Sequence, residues 1–201
     1  MIAIIPARFA SSGFPGKPLA EISGKPMIQW VYERTSQIFD DVYVATDDER
    51  IQKAVIGFGG RVVMTATTHQ SGTDRCAEAL NTIEKTVNIK FDIVVNIQGD
   101  EPFIQPEQLK KVASCFNEPS VQIATLVKPF SNSEDIFNPN SPKVILNRKD
   151  EAIYFSRSVI PFIRSKDKTE WQQHHTFFKH IGLYAYRSDV LREITKLAQS
   201  S

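Results

Sequence analysis

The chain has 201 residues, 41% of them hydrophobic, and a formal net charge of +1 at neutral pH. This length suits one domain, or one domain with a small subdomain, and the hydrophobic content is enough to bury a core. The near-zero net charge gives no bulk electrostatic basis for binding nucleic acid or a membrane surface, so any bound anion must be held by a local cluster. The sequence also contains no apolar run long enough to span a bilayer.

The N-terminal residues and the cysteines indicate a cytoplasmic protein. Residues 1–6 lack the basic segment and the small-residue cleavage site of a signal peptide, and Pro6 ends the apolar run early, so a short buried strand is expected there. Cys76 and Cys115 are the only cysteines, and they form no C-x-x-C pattern. Two reduced thiols are therefore a better interpretation than a disulfide or a zinc site.

Apolar runs alternate with helical patterns through the first part of the chain. We predict strands at residues 2–5, 42–45, 61–64 and 93–97, and helices at 27–39, 48–58, 73–87 and 106–116. The helical segments carry apolar residues at helical spacing, two glycines follow the second helix, and a proline begins the fourth. This alternation predicts an α/β fold with a parallel sheet and helices on both faces.

The pattern changes after about residue 120, where the predicted strands have shorter connections. We predict strands at residues 121–127, 144–146, 152–155 and 178–186, loops at 130–142 and 164–175, and a last helix at 188–198 with Ser188 as its N-cap. The chain is therefore interpreted as one domain with a first half, residues 1–119, and a small β-rich second half, residues 120–201.

Ligands of such sheets bind at the carboxyl ends of the strands, so the loops that follow the strands are where a site is expected. The first of these loops, residues 6–18, contains glycines that let backbone N–H groups approach a ligand, together with Arg8 and Lys17. It is neither a Walker A motif, because Pro18 follows Lys17, nor a dinucleotide fingerprint, which makes a dehydrogenase less suitable. A triphosphate site is favoured over a basic surface loop.

A second polar turn, N-I-Q-G-D-E-P at residues 96–102, lies at the end of an apolar strand. Mg²⁺ prefers one or two carboxylates together with phosphate oxygens, and Asp100 is well placed to be such a ligand. Glu101 could serve instead, and a simple polar turn is the alternative to a metal site.

A third segment, H-Q-S-G-T-D-R at residues 69–75, opens a helix. Ser71 and Thr73 are natural N-caps, and the first N–H groups of the helix could hold an anion or the edge of a base. Simple capping explains this segment equally well when it is considered alone.

The fourth group lies in the second half of the chain. Arg157 follows a predicted strand, where its guanidinium would suit the carboxylate of a sugar acid. His180 and Tyr184 share one face of the strand predicted at residues 178–186, and Gly182 between them leaves room for a ligand. For a single histidine, a structural role is the more common alternative.

Taken together, these segments resemble the 3-deoxy-manno-octulosonate cytidylyltransferase family, also called CMP-Kdo synthetases. The resemblance runs through nearly the whole chain and rests on IIPAR (residues 4–8), PGKPL (15–19), ATDD (45–48), HQSGT (69–73), QGDEP (98–102), FNPN (137–140), YFSR (154–157) and KHIGLYAY (179–186). Each motif is weak by itself, but their order along the chain is specific.

The resemblance implies a Rossmann-like α/β transferase with a mixed, mostly parallel sheet, which acts as a homodimer and needs Mg²⁺. It would join CTP to 3-deoxy-D-manno-octulosonate (Kdo), releasing CMP-Kdo and pyrophosphate for lipopolysaccharide synthesis. Arg8, Lys17 and Asp100 would carry the chemistry, with Asp100 as the metal ligand. The nucleotide would be bound by Ala7, Arg8, Gly16, Lys17, Gln70, Ser71, Gly72, Arg75 and Asp100, and the sugar by Gln98, Arg157, His180 and Tyr184.

The chain departs from the family pattern in two places. Gly13 stands where the family usually has an arginine, and the chain stops at Ser201 before the family's late glutamate for the sugar and aspartate for the metal, so we expect a C-terminal truncation. Two alternatives stay open: a cytidylyltransferase for another acidic sugar, such as 8-amino-Kdo or sialic acid, and a catalytically weak nucleotide-binding protein.

Overall fold

The structure is a computed structural model that describes residues 1–10, 14–132 and 134–198. It contains two compact units, one formed by Met1–Ala124 with the chain that resumes at Leu183, and the other by Thr125–Gly182. Gly13, where the sequence departs from the family pattern, lies outside the described residues. The functional division of the chain at residue 119 stays a prediction.

The described residues form ten strands and six α-helices, several of them short. The strands are β1 (Ile2–Ala7), β2 (Glu21–Ile22), β3 (Lys25–Pro26), β4 (Val42–Thr46), β5 (Val62–Met64), β6 (Ile93–Asn96), β7 (Ile123–Pro129), β8 (Lys143–Leu146), β9 (Ala152–Ser156) and β10 (Phe178–Arg187). The helices are α1 (Met27–Thr35), α2 (Glu49–Gly57), α3 (Gly72–Val87), α4 (Pro106–Ser114), α5 (Trp171–His174) and α6 (Ser188–Ile194).

The sheet of the first unit is mostly parallel, as predicted. Its strands lie in the order β5-β4-β1-β6 with parallel pairing throughout. The last residues of β10 pair antiparallel with β6, which makes the sheet mixed. The predicted α/β class with a mostly parallel sheet is therefore confirmed.

The register of the parallel strands brings the predicted ligand loops together. Ala7 at the end of β1 lies opposite Thr46 at the end of β4, and Thr46 lies opposite Met64 at the end of β5. Ile4 of β1 lies opposite Asn96, the last residue of β6. The loops that follow these strands consequently emerge at one edge of the sheet.

Both faces of β1 are buried, which explains its continuous apolar sequence. Ile2, Ala3, Ile4 and Ile5 are 0% exposed, although successive side chains of a strand point to opposite faces. Ile2 and Ile4 share an apolar cluster with a set of α3 residues spaced for one helical face: Cys76, Ala77, Ala79, Leu80 and Ile83. The sequence spacing predicts Cys76, Leu80, Ile83 and Val87 on this face, and the first three are buried, whereas Val87 at the end of α3 is 36% exposed.

The helix ends follow the sequence in most cases. Asp48 caps α2 by accepting from the Arg50 N–H at 2.9 Å, and Ser71 caps α3 in a reciprocal capping box with Asp74. Two helices are exceptions. The first, α1, ends at Thr35 rather than at residue 39, and in the last helix Ser188 is the first residue and Arg187 the N-cap. The Ser188 hydroxyl donates instead to the Phe91 carbonyl, and α6 ends at Ile194 rather than at residue 198.

The second unit has its own small core, which the sequence patterns did not reveal. In this unit β8 lies between β9 and β10 and pairs antiparallel with both. Its buried residues are Ile136, Trp171 and Phe177. Ile136 and Trp171 come from the two segments predicted to be loops, so that prediction was wrong for 164–175, which contains α5 and a short 3₁₀ turn. The polar surroundings of Trp171 concealed its burial.

In the parts of the chain that the structure describes, no helix is long and apolar enough to cross a membrane.

Candidate active site

The first loop of the site is closed on itself at its base. The Gly16 N–H donates to the Phe9 carbonyl at 2.8 Å, and the Gly16 carbonyl accepts from Leu19 at 2.8 Å. Gly16 has a φ of +75°, and a Cβ added there would lie 3.0 Å from atoms of the Phe9 ring. Glycine is therefore required for both the left-handed backbone and the close ring contact. The guanidinium carbon of Arg50 lies 3.3 Å from the centroid of the same ring.

The base of this loop meets the turn after β6. The Lys17 ammonium lies 2.6 Å from Asp100 Oδ2, with 39% and 46% of the two side chains exposed. Both line a cleft of about 150 Å³, whose walls are Pro6, Ala7, Arg8, Lys17, Pro18, Gln98, Gly99 and Asp100. Five residues predicted to bind the nucleotide, the sugar or the metal therefore border one cleft: Ala7, Arg8, Lys17, Gln98 and Asp100.

Gly99 allows the turn after β6 to lie against the end of β1. A Cβ at Gly99 would be 2.9 Å from the Pro6 carbonyl oxygen, a contact that real side chains do not make. Asp100 follows directly and reaches the cleft from this turn. The absence of a side chain at Gly99 thus sets the distance between the two loops that carry Lys17 and Asp100.

Glu101 is the second carboxyl of this turn. Although it reaches the surface, the surrounding protein removes enough water to raise its pKa, and the negative charge of Asp100 raises it further. Lys17 opposes this effect. Two adjacent carboxyls, one of them paired with a lysine, form an oxygen-rich corner of the kind that a hard divalent cation prefers. Among the described residues, however, no group of three or more His, Cys, Asp or Glu side chains forms a ready cation site.

The segment before α3 is held by its own hydrogen bonds. The His69 ring lies against the Glu78 carboxylate, which also accepts from the Ala66 N–H at 3.0 Å. The Arg8 guanidinium donates to the His69 carbonyl at 3.5 Å, which connects this segment to the first loop. Gln70 donates to the Thr68 carbonyl at 3.3 Å and is exposed. These bonds place Gln70 next to the start of α3.

The start of α3 lies directly on the end of β1. A Cβ at Gly72 would be 3.2 Å from Pro6 Cγ, so a larger residue would push the helix away from the strand. The Ser71 hydroxyl donates to Asp74 Oδ2 at 2.7 Å and accepts from the Asp74 N–H at 3.1 Å. Capping and close packing therefore account for Ser71 and Gly72, and their contact with a nucleotide stays a prediction.

Arg75 is enclosed by protein rather than open to the cleft. It is 0% exposed, and its guanidinium donates to Asp47 Oδ2 at 2.8 Å and to Thr65 Oγ1 at 2.5 Å. These partners follow β4 and β5, so Arg75 joins two ligand loops to α3. The sequence analysis missed Asp47 and Thr65 as its partners, although both follow predicted strands. Direct contact between Arg75 and a nucleotide stays a prediction.

In the second unit, Arg157 and His180 are both tied to neighbouring groups. The Arg157 guanidinium donates to the Pro139 carbonyl at 3.0 Å. His180 Nε2 lies 2.8 Å from the Thr125 hydroxyl, which also donates to the Ile181 carbonyl at 3.3 Å, so His180 would be the donor to Thr125. Burial lowers the pKa of His180, which favours the neutral ring.

Tyr184 lies further along β10, in the part that belongs to the first unit. It is opposite Asn96 in the register, and its ring stacks with Tyr186 at 5.9 Å between centroids. Burial raises the pKa of Tyr184, so its hydroxyl stays protonated at neutral pH. His180 and Tyr184 thus occupy one continuous strand, as predicted, and their contact with a sugar stays a prediction.

A larger depression, of about 560 Å³, lies away from these motifs. It is lined by Met1, Ile38, Phe39, Asp40, Asp41, Lys110, Ala113, Ser114 and Asn117. Met1 and Asp41 directly precede β1 and β4, so the depression is at the amino ends of the strands. Ligands of parallel sheets bind at the carboxyl ends, and the smaller cleft is therefore the candidate active site.

Known proteins are similar to this chain over nearly its whole length. A family model described as "Cytidylyltransferase" matches residues 2–201. A 3-deoxy-manno-octulosonate cytidylyltransferase from Parabacteroides distasonis is 60% identical, and the alignment covers 100% of this chain and 80% of the relative. The protein of the same name from Bacteroides thetaiotaomicron is 61% identical, with the same coverage of both chains.

Solved structures show the same fold. A CMP:2-keto-3-deoxy-manno-octonic acid synthetase complexed with CTP superposes with a TM-score of 0.87 at 42% identity, covering 99% of this chain and 78% of that one. A cytidylyltransferase from Leptospira borgpetersenii, at 15% identity and a TM-score of 0.60, shares the fold alone. The family match over nearly the whole chain and the relatives at about 60% identity establish that the chain belongs to the cytidylyltransferase family, among the 3-deoxy-manno-octulosonate cytidylyltransferases.

Proposed function

We propose that this protein is a cytidylyltransferase that transfers CMP from CTP to Kdo and releases pyrophosphate. The observation that carries the proposal is the cleft at the carboxyl ends of β1 and β6, where Lys17 and Asp100 meet at 2.6 Å. The names of its relatives supply the substrates, and the solved relative with CTP supplies the nucleotide. The product, CMP-Kdo, would serve lipopolysaccharide synthesis.

The triphosphate is bound by the first loop. Arg8 and Lys17 lie on the same cleft, and each offers a positive charge to phosphate oxygens. Gln70 and the start of α3 are the candidates for the cytidine, because Arg8 connects that segment to the phosphate loop.

The divalent cation belongs beside Asp100. The donor set fits Mg²⁺, since Asp100 supplies a carboxylate at the cleft, Glu101 lies next to it, and the triphosphate supplies the remaining charged oxygens. When bound, Mg²⁺ would neutralise charge on the phosphates and polarise the phosphoryl group. Asp100 would hold the cation, and Lys17, which pairs with Asp100 in this structure, would offer its positive charge to the triphosphate.

The reaction is an in-line displacement at the α-phosphorus. The anomeric hydroxyl oxygen of Kdo forms the new P–O bond, the bond to the oxygen that bridges the α- and β-phosphates breaks, and the hydroxyl proton leaves to solvent. This chemistry asks the protein mainly for positioning and for stabilising the negative charge that moves onto pyrophosphate. Arg8 and Lys17 are the cations available for that charge.

Recognition of the sugar is assigned to Gln98, Arg157, His180 and Tyr184. Gln98 borders the cleft, which suits a hydrogen bond to a sugar hydroxyl. The guanidinium of Arg157 matches the planar carboxylate of a sugar acid. A neutral His180 and a protonated Tyr184, the forms that burial favours, each have a hydrogen-bond donor and an acceptor, which suits the hydroxyl groups of a sugar.

The protein is further proposed to act as a homodimer in the cytoplasm. The support for a second copy is the exposed apolar surface of the second unit, where Ile153, Tyr154 and Phe155 of β9 are 64%, 62% and 42% exposed. Phe162 is 73% exposed in the same unit. Exposed apolar residues concentrated in one region are typical of association surfaces. Sedimentation equilibrium of the parent and of Ile153→Lys would test this assignment.

The function is tested by pyrophosphate release from CTP, UTP, ATP and GTP, each with Kdo, 8-amino-Kdo, sialic acid or no sugar. Release that requires CTP and Kdo together supports the proposal. If another acidic sugar were preferred, the proposed reaction would stand and the proposed sugar substrate would be wrong. Tight CTP binding by calorimetry without release from any pair would show a nucleotide-binding protein instead.

A further inference from the structure

Lys143 is a charged residue in the interior of the second unit. Its side chain is 0% exposed, in the middle strand β8, with Ser156 of β9 and Lys179 of β10 opposite it in the register. A lysine is almost never fully buried unless its ammonium finds partners. Burial lowers the pKa of Lys143, and the nearby charge of Asp135 opposes that shift. A fully buried ammonium group of this kind needs hydrogen-bond partners inside the second unit.

The Lys143 ammonium donates to two backbone carbonyls, those of Asn138 and Arg157. Its Nζ donates to the Asn138 carbonyl at 2.7 Å and to the carbonyl of Arg157 itself at 3.1 Å. The Arg157 guanidinium in turn donates to the Pro139 carbonyl at 3.0 Å. One ammonium consequently fixes the backbone of Arg157 and the residue next to its guanidinium partner. Lys143 therefore contacts the Arg157 carbonyl directly, and it contacts the residue that precedes Pro139, whose carbonyl accepts from the Arg157 guanidinium.

We infer that Lys143 is a positioning residue that holds Arg157 in the orientation needed for the carboxylate of the sugar acid. This inference rests on the proposed function for the part that concerns the sugar. Its geometric part, that Lys143 sets the position of the Arg157 side chain, does not depend on any substrate. The position of a guanidinium matters because a bidentate bond to a carboxylate needs both N–H groups aligned.

The kinetic test compares Lys143→Met with Lys149→Met, a matched change of an exposed lysine in the same unit. Lys143→Met removes the ammonium donor from the Arg157 carbonyl and from the Asn138 carbonyl, which keeps the Ser141 N–H as its second donor. We expect the KM for Kdo to rise about tenfold while the KM for CTP is unchanged. Lys149→Met should change neither. In an Arg157→Ala background, Lys143→Met should add nothing further, because its effect passes through Arg157.

Equal increases of both KM values, or a full additional loss in the Arg157→Ala background, would overturn the inference in favour of a general stabilising role. Lys143→Gln keeps N–H donors and should give a smaller rise in the KM for Kdo. If Lys143→Met does not fold, the test is made with Lys143→Gln. An unchanged KM for Kdo in Lys143→Gln would then contradict the inference.

A spectroscopic test separates this inference from the proposed function. The ¹⁵Nε–¹Hε NMR signal of Arg157 is identified as the one that disappears in Arg157→Ala. It should shift or broaden in Lys143→Met and stay in place in Lys149→Met. An unchanged signal would refute the positioning role even if Kdo is the substrate. A shifted signal without turnover on Kdo would uphold the positioning role and refute the proposed function.

Discussion

The two units of this protein are stabilised by different kinds of contact. In the first, aliphatic strands such as β1 are buried on both faces, and polar groups are found where the strands end. In the second, a small core around Trp171 is supplemented by side chains that bind backbone carbonyls, as Lys143 and Gln172 do. Such bonds also occur in the first unit, as between Trp30 and the Ile22 carbonyl, but there the packing of strands and helices positions the loops. The second unit has only a small core beside them.

This difference predicts that the second unit depends on very few residues. Trp171 is 1% exposed, and it contacts Phe137, Phe162 and Phe177. Trp171→Ala should cost about 3–5 kcal/mol of the free energy of unfolding. We expect hydrogen exchange to show lost protection within Thr125–Gly182 before it does in β1.

Trp30, whose ring N–H donates to the Ile22 carbonyl at 2.8 Å, then remains as the fluorescent reporter of the first unit. Trp171→Phe serves as the control because it keeps an aromatic ring in the core. Simultaneous loss of protection in both units would show that they unfold as one cooperative block.

The next largest effect is expected on turnover, from a substitution of Asp100 in the first unit. Asp100→Asn keeps the size of the side chain and removes its charge, so turnover should fall by about 100-fold while the melting temperature changes little. Pyrophosphate release measured against Mg²⁺ concentration checks this, with the exposed Asp92→Asn as the control. If Asp100→Asn had the same Mg²⁺ dependence as the parent, Glu101 would be the metal ligand instead of Asp100. Glu101→Gln should then lose the Mg²⁺-dependent turnover.

A crossed pair of variants tests whether the two units serve different substrates. Each removed charge-assisted hydrogen bond should cost about 1.5–3 kcal/mol of binding. Lys17→Ala should therefore raise the KM for CTP about tenfold or more, and Arg157→Ala should do the same for Kdo. Steady-state kinetics with each substrate varied in turn provides the measurement. If Arg157→Ala affected both substrates equally, its role would be structural.

A smaller effect is expected from the cap of α3. Ser71→Ala removes the hydroxyl that accepts from the Asp74 N–H, which should cost about 1 kcal/mol of stability. Ser71→Thr keeps the hydroxyl and should lose much less. If Ser71→Ala weakened CTP binding without changing thermal stability, the residue would act on the nucleotide instead.

The smallest effect concerns His180 and pH. Because burial lowers its pKa below the ordinary value of 6.5, the unfolded chain takes up a proton more readily than the folded protein does. Stability should consequently fall as the pH decreases below 6.5. His180→Gln should flatten that dependence in urea unfolding, whereas the exposed His174→Gln should not. Identical slopes in both variants would contradict the assignment.

The sequence was informative where packing is periodic. Buried parallel strands leave unbroken apolar runs, so β1 and β6 could be predicted, and with them the edge at which Lys17 and Asp100 meet. Contacts with backbone carbonyls have no such signature, because a carbonyl belongs to every residue. The burial of Lys143 could not be inferred for that reason. The enclosure of Arg75 depends on Asp47 and Thr65, which are distant in sequence, and a lone tryptophan in a polar segment gave no periodicity.

The ion pair between Lys17 and Asp100 has a thermodynamic consequence. An anion that draws the lysine away leaves a carboxylate without compensation, and a cation that takes the carboxylate leaves a lysine without its partner. The binding free energy of either ligand alone is reduced by the loss of the Lys17–Asp100 ion pair. When both ligands bind, the anion pairs with Lys17 and the cation with Asp100. Linkage then makes the affinities reciprocal: each ligand should tighten the binding of the other by the same factor. The resting pair would discriminate against a bare triphosphate in favour of its complex with metal.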